Sequence, residues 1–136
     1  QDSPEDYVIA TGKQVSVRKF IELCAKELNW SKNNLSIIWE GEGVLEVGKR
    51  ADTGEIVIKI DTRYFRPTEV DTLLGDPSKA MKMLNWTPKT SLEEMIKEMI
   101  IFDKDQAEKE AYLKNKGYKL NKQFETNPEN IKANNI

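Results

Sequence analysis

Tyr7-Val8-Ile9-Ala10 is apolar at all four positions and runs straight into Thr11-Gly12. This restricts the possible folds more than any other segment does. A strand with one face in water alternates apolar and polar residues, whereas a strand covered on both faces does not. The pattern therefore predicts a buried strand closed by a glycine turn, and a buried strand needs neighbours. We expect it to join a larger parallel sheet whose other strands lie outside these 136 residues.

The rest of the chain is a mixed set of elements. Ser16 is placed to cap a helix, and Val17, Phe20, Ile21, Cys24 and Leu28 recur at helical spacing as one apolar stripe. Asn29 and the polar residues 31–34 end it. Leu35 to Glu40 reads as a strand, with β-branched Ile37 and Ile38 before Trp39. Asp52-Thr53-Gly54 is a turn signal ahead of the apolar run Ile56 to Ile60, which predicts a hairpin between about Val44 and Ile60. Asp76-Pro77 combines a capping carboxylate with proline at the first helical position. Ala80, Met81 and Leu84 form the apolar side of that helix, and Asn85-Trp86-Thr87-Pro88 ends it. Ser91-Leu92-Glu93-Glu94 is a capping box for a last helix. That helix is expected to bury Leu92, Met95, Ile96, Met99 and Ile100 and to continue as a polar helix to about Leu113, with a stop at Gly117. The fold class is thus α/β, with small mixed strands plus three helices. The organisation read from composition is an ordered region over 1–117 and a polar, mobile tail over 118–136.

Composition removes several kinds of function. The 21 basic and 23 acidic side chains give a net charge of −2, which argues against general binding of nucleic acid or a membrane surface. No apolar run approaches the ~20 residues that span a bilayer. There is no histidine, so histidine-based acid–base chemistry, metal ligation and nucleophilic pairs are absent from these residues. Cys24, the one cysteine, reads as a small core hydrophobe and fits a reducing compartment. The first residue is Gln1 rather than Met, so the N-terminus is expected to be trimmed or cut from something longer. Asp103, Asp105, Glu108 and Glu110 alternate with lysines as on a solvated helix face rather than a metal site. Met81, Met83, Met95 and Met99 read as core filling, and Trp39 and Trp86 as packing anchors. Arg18 and Lys19, beside the Thr11-Gly12 turn, could lie near a phosphate, but read more readily as a solvated first helical turn.

The run Tyr64-Phe65-Arg66-Pro67-Thr68-Glu69-Val70-Asp71 carries the chemistry. Arg66 offers a rigid fork of donors that suits phosphate oxygens, and Glu69 offers a carboxylate that accepts from the two hydroxyls of a ribose. One short segment could hold the diphosphate and the ribose of a nucleotide sugar. The same two residues could instead form an i,i+3 surface ion pair, worth a few tenths of a kcal/mol. Pro67 fixes the backbone beside Arg66, Tyr64 and Phe65 could wall a pocket, and the run lies in a loop, where binding residues concentrate.

This run, together with Leu74-Gly75-Asp76-Pro77-Ser78-Lys79-Ala80, Leu84-Asn85-Trp86-Thr87-Pro88, Tyr7 to Gly12, Ser16-Val17-Arg18 and Trp39-Glu40-Gly41, resembles the C-terminal part of the GDP-mannose 4,6-dehydratase family. That family lies within the extended short-chain dehydrogenases/reductases, and the resemblance covers roughly residues 4 to 118. It implies the C-terminal, substrate-binding part of a Rossmann-type enzyme that converts GDP-mannose to GDP-4-keto-6-deoxy-mannose by NADP-dependent oxidation, water elimination and reduction. It further implies that Arg66 binds the diphosphate, that Glu69 binds the ribose hydroxyls and that Leu73 faces the same pocket. GDP-mannose would be the ligand, the location cytoplasmic, and the intact enzyme a homo-oligomer without nucleic-acid or membrane partners.

The family's other parts are not found. A Gly-x-x-Gly-x-x-Gly turn is missing, so NADP would be bound by an N-terminal domain outside this chain. The catalytic Tyr-x-x-x-Lys would also lie there. Tyr112-x-x-x-Lys116 and Tyr118-x-x-x-Lys122 match its spacing but sit at the polar end, with no cofactor fold before them. We expect this chain alone to be inactive. Two other readings stay open: a non-catalytic module that binds a nucleotide sugar, and another nucleotide-sugar dehydratase or epimerase of the same superfamily.

Overall fold

The computed structural model describes residues 3–66 and 72–119. Helix α1 (Val17–Glu27) is followed by strand β1 (Ile37–Glu40), a 3-10 turn (Gly43–Leu45), β2 (Val47–Arg50), β3 (Ile56–Lys59), α2 (Ser78–Leu84) and α3 (Leu92–Asn115). Residues 1–100 form one compact unit and residues 101–136 a second. The fold is mixed α/β, as the sequence suggests.

The helix boundaries follow their capping residues. Ser16 accepts the Lys19 N–H at 3.1 Å and starts α1. Asn29 ends it in the left-handed conformation at φ 60°, while the Trp30 N–H reaches back to the Ala25 carbonyl at 3.1 Å. The capping box of α3 is complete: the Glu94 N–H donates to Ser91 Oγ at 3.2 Å and the Ser91 N–H donates to the Glu94 carboxylate at 2.8 Å. Gly117, at φ 83°, stops that helix, with the Tyr118 N–H on the Leu113 carbonyl.

The hairpin predicted near Val44–Ile60 is β2–β3, and β1 completes an antiparallel sheet in the order β1-β2-β3. Trp39, Gly48 and Ile58 stand side by side across the three strands. A Cβ on Gly48 would lie 2.9 Å from Ile58 Cδ1 and 3.0 Å from Trp39 Cζ3, so the two large side chains meet over a position that only glycine leaves open. Arg18 of α1 stacks on the Trp39 ring at 4.4 Å and forms a two-bond pair with Glu46, each bond 2.7 Å. The Trp39 indole N–H donates to Glu22 at 3.2 Å. Between α1 and β3 runs an apolar groove of about 230 Å³, lined by Phe20, Cys24, Leu28, Trp30 and Val57 among others. Burial pushes the Cys24 thiol above its ordinary range.

Four expectations need correction. Tyr7–Ala10 is not a strand: no described residue pairs with its backbone, and Val8 and Ile9 are more than half exposed. A strand without a neighbour leaves its N–H and C=O groups to water. Val17 does not join the buried stripe but stands 75 % exposed in the first turn of α1. The α2 helix starts one residue later than expected, with Pro77 flanking it, although Asp76 still caps by accepting the Ser78 N–H at 2.9 Å. Of the four methionines only Met81 is half-buried. In α3 the covered stripe is Leu92, Ile96 and Ile100, spaced by four, so Met95 and Met99 fall about 100° to one side. In α2 the covered face takes Ala80 and Met81 and leaves Met83 outside.

Several turn and cap carboxylates are held below the usual range, among them Asp52, lowered chiefly by the Arg50 side chain. Asp61 is lowered chiefly by the Arg63 side chain, Asp76 chiefly by the Ser78 hydroxyl, and Glu94 chiefly by the Ser91 N–H. A carboxyl with a depressed folded pKa contributes stability above its unfolded pKa and loses it as pH falls through the folded value. Acid titration is therefore expected to fray the starts of α2 and α3 below about pH 4. The D76N/E94Q variant should show a weaker loss of helical circular dichroism over that range. An unchanged acid transition would disprove a role for these caps.

Candidate functional site

The stretch that carries Arg66 leaves β3 through a turn built on one carboxylate. Asp61 accepts the Arg63 N–H at 3.0 Å and the Arg63 guanidinium at 2.7 Å, and its carbonyl takes the Tyr64 N–H at 3.0 Å. The Arg63 guanidinium lies 5.3 Å from the Tyr64 ring centre. Asp61 thus takes up one arginine and fixes the backbone before the next. Arg66 is exposed, and among the described residues it has no ion pair. The Tyr64 and Phe65 rings are also exposed, at 68 % and 56 %. This is the arrangement of a surface that could receive a ligand, with the Arg66 guanidinium in no ion pair among the described residues.

Glu69 lies outside the described residues, so its distance from Arg66 is not part of this description. Leu73 is described and stands 78 % exposed. Beyond it, Gly75 lies against Val8 and Ala10, the Pro77 ring faces Gly12, and Lys79 donates to the Asp6 carbonyl at 3.0 Å and pairs with Glu5 at 2.8 Å. These contacts join the beginning of the described sequence to the start of α2. In sequence, Tyr7 to Ala10 signals a strand and Asp76-Pro77 a helix start, and neither pattern discloses the other as its partner. The one available signal was a glycine directly before the Asp76-Pro77 cap, at a position where no turn requires it.

The other candidates resolve as packing or surface. Arg18 does not sit as a solvated cation: it is committed to Glu46 and Trp39. Lys19 pairs loosely with Glu22 at 3.9 Å. Tyr112 and Lys116 lie one helical turn apart near the exposed end of α3, with the ammonium 5.7 Å from the ring centre, while Lys122 lies outside the described residues. Lys104–Glu108 and Lys114–Glu110 are i,i+4 pairs at 3.9 Å, as on a solvated helix face. Trp86 is half-buried, with its N–H on the Ala80 carbonyl. No described helix is long and apolar enough to cross a membrane.

A family model described as GDP-mannose 4,6 dehydratase matches residues 1–99. The GDP-mannose 4,6-dehydratase of Yersinia enterocolitica is 44% identical over 128 residues, covering 87% of this chain and 33% of the relative. GDP-mannose 4,6 dehydratase 2 of Caenorhabditis elegans is 52% identical over 103 residues, covering 76% of this chain and 25% of its own length. The human GDP-mannose 4,6 dehydratase is 43% identical over 102 residues, covering 75% and 26%. The chain spans between a quarter and a third of the length of these curated relatives. With most of its residues matched at this level, the chain belongs to the GDP-mannose 4,6-dehydratase family.

Proposed function

We propose that this chain is the substrate-binding part of an NADP-dependent GDP-mannose 4,6-dehydratase, a cytoplasmic homo-oligomer that converts GDP-mannose to GDP-4-keto-6-deoxy-mannose. The observation that carries the reading is Arg66, exposed beside two exposed aromatic rings while the neighbouring Arg63 is bound to Asp61. The Arg66 guanidinium binds the diphosphate by paired hydrogen bonds. Glu69, three residues on, accepts from the ribose hydroxyls. Both roles are binding roles, and neither residue performs the redox or elimination steps.

The residues of this chain do not fit NADP. None of its seven glycines is three residues from another, so no glycine-rich turn can bring backbone N–H groups against a dinucleotide diphosphate in the family's manner. The cofactor and the catalytic groups are assigned to the rest of the enzyme. The exposed Val8 and Ile9 favour a part of a larger enzyme over a self-standing binding module, because an apolar run of this kind needs a cover.

Calorimetric titration of the intact enzyme tests the reading. GDP-mannose and GDP are expected to bind, with guanosine at least tenfold weaker because it lacks the diphosphate. Equal affinity for guanosine and GDP would refute the diphosphate role of this segment.

A further inference from the structure

We infer that Gly75 and Lys79 are positioning residues. They clamp the segment Glu5–Gly12 along the start of α2, and so fix the downstream end of the ligand-binding stretch that carries Arg66. This rests on the nucleotide-sugar reading given above, and it assigns a role to residues that touch no ligand.

The stretch after β3 is held at its upstream end by the Asp61 turn. Its downstream end is held by three kinds of contact in succession. At Gly75 the constraint is steric: a Cβ there would lie 2.8 Å from Ala10 Cβ and 3.1 Å from Val8 Cγ1. Ala10 Cβ is fixed to its backbone and cannot rotate away, so any side chain at residue 75 would push the two backbones apart. At Pro77 the ring fills the space beside Gly12, at 3.8 Å from where a Cβ would stand, and Pro77 is itself buried. At Lys79 the ammonium reaches three consecutive residues, pairing with Glu5, donating to the Asp6 carbonyl and lying 4.9 Å from the Tyr7 ring centre.

The two segments thus run together from residue 5 to residue 12 on one side and from residue 75 to residue 79 on the other. The steric contact is the stronger constraint. The Lys79 pair is about half exposed, and solvent-screened pairs of that kind contribute little. The glycine contact admits no side chain without displacement, and a displaced binding segment loses ground-state and transition-state binding equally, which raises KM and leaves kcat.

The test uses the intact enzyme and reads KM for GDP-mannose against kcat. Gly75→Ala is expected to raise KM about tenfold with kcat within about twofold, because the reacting groups lie elsewhere. Adding Ala10→Gly to it removes the opposing methyl and should bring KM most of the way back, a rescue that general destabilisation would not produce. Lys79→Met keeps the length of the side chain and removes its charge, with an expected KM rise of up to about fivefold. It keeps the question decidable if Gly75→Ala fails to fold. An unchanged KM in Gly75→Ala, a fall in kcat alone, or no rescue by Ala10→Gly would overturn the proposal. Arg66→Ala in the same assay separates the two levels. If it weakens binding while Gly75→Ala and Lys79→Met do not, the clamp is wrong and the site stands. If Arg66→Ala has no effect, the site reading fails and the clamp's proposed purpose falls with it.

Discussion

Replacing Arg66 by alanine is expected to raise the dissociation constant of the intact enzyme for GDP-mannose by about 30- to 100-fold while leaving its thermal stability unchanged. Each charge-assisted hydrogen bond to an anion contributes about 1.5–3 kcal/mol, and one guanidinium can place two such bonds on a diphosphate. Two such bonds set an upper limit of about 3–6 kcal/mol, and because the Arg66 site is exposed to solvent the net loss is about 2–2.8 kcal/mol, which corresponds to the stated range. The expectation for stability comes from the structure: the side chain is exposed and makes no ion pair among the described residues, and surface replacements of that kind usually stay within about 0.5 kcal/mol. Arg66→Lys should recover only part of the affinity, because an ammonium lacks the planar fork. Calorimetry with GDP-mannose, GDP and GMP gives the decisive comparison. The penalty should be large for the two diphosphates and several-fold smaller for GMP. An equal penalty for all three ligands would place Arg66 away from the diphosphate, and a lowered melting temperature would make it a structural residue.

The contrast between Arg63 and Arg66 was not legible in the sequence, where both are arginines beside Tyr64 and Phe65. It arises because Asp61 sits two residues before Arg63 and closes a turn on it. Local signals served well wherever the determinant was local. Ser16, Asp76, the Ser91–Glu94 box and Gly117 all mark helix ends that follow from backbone groups within a few residues. The Asp52-Thr53-Gly54 turn likewise forecast the β2–β3 hairpin. What failed depended on residues far away in sequence. The Tyr7 run forms no strand among the described residues, and the sheet its apolar pattern calls for is expected outside these 136 residues. Arg18 was read as solvated because Glu46, its partner, is 28 residues away. Met95 and Met99 were placed in the core because helical periodicity fixes an angular sector and not its width, and one narrow stripe through Ile96 suffices here. The site is legible as a set of residue types, but which arginine is taken up depends on the geometry of the Asp61 turn, which the residue types alone do not give.

Trp39→Ala should be the most damaging single change to the folded core, costing about 3 kcal/mol, and it decides what holds α1 to the sheet. Two mechanisms compete. One is the Arg18–Glu46 pair, which is short and two-pronged but has the Arg18 side chain 46% exposed. A pair in that setting contributes about 1 kcal/mol or less, and its stacking on the indole adds about 0.5–1 kcal/mol. The other is the indole itself, which covers Gly48, supports the Arg18 guanidinium and donates to Glu22. Truncating a tryptophan in such a place costs about 3–5 kcal/mol, and the lower end applies because Trp39 is half-buried. The ring therefore outweighs the ion pair, and the ion pair depends on the ring for one of its two supports. Native-state hydrogen exchange in the intact protein reads this locally. Trp39→Ala should speed exchange of the β1 and β2 amides by about 100-fold or more, and Arg18→Ala by at most about 30-fold. Equal acceleration by the two variants would show that the ion pair, not the indole, fixes the helix on the sheet. Gly48→Ala offers an independent check from the opposite side, since its added methyl would have to displace the same ring, and it should accelerate the same amides without touching Arg18 or Glu46.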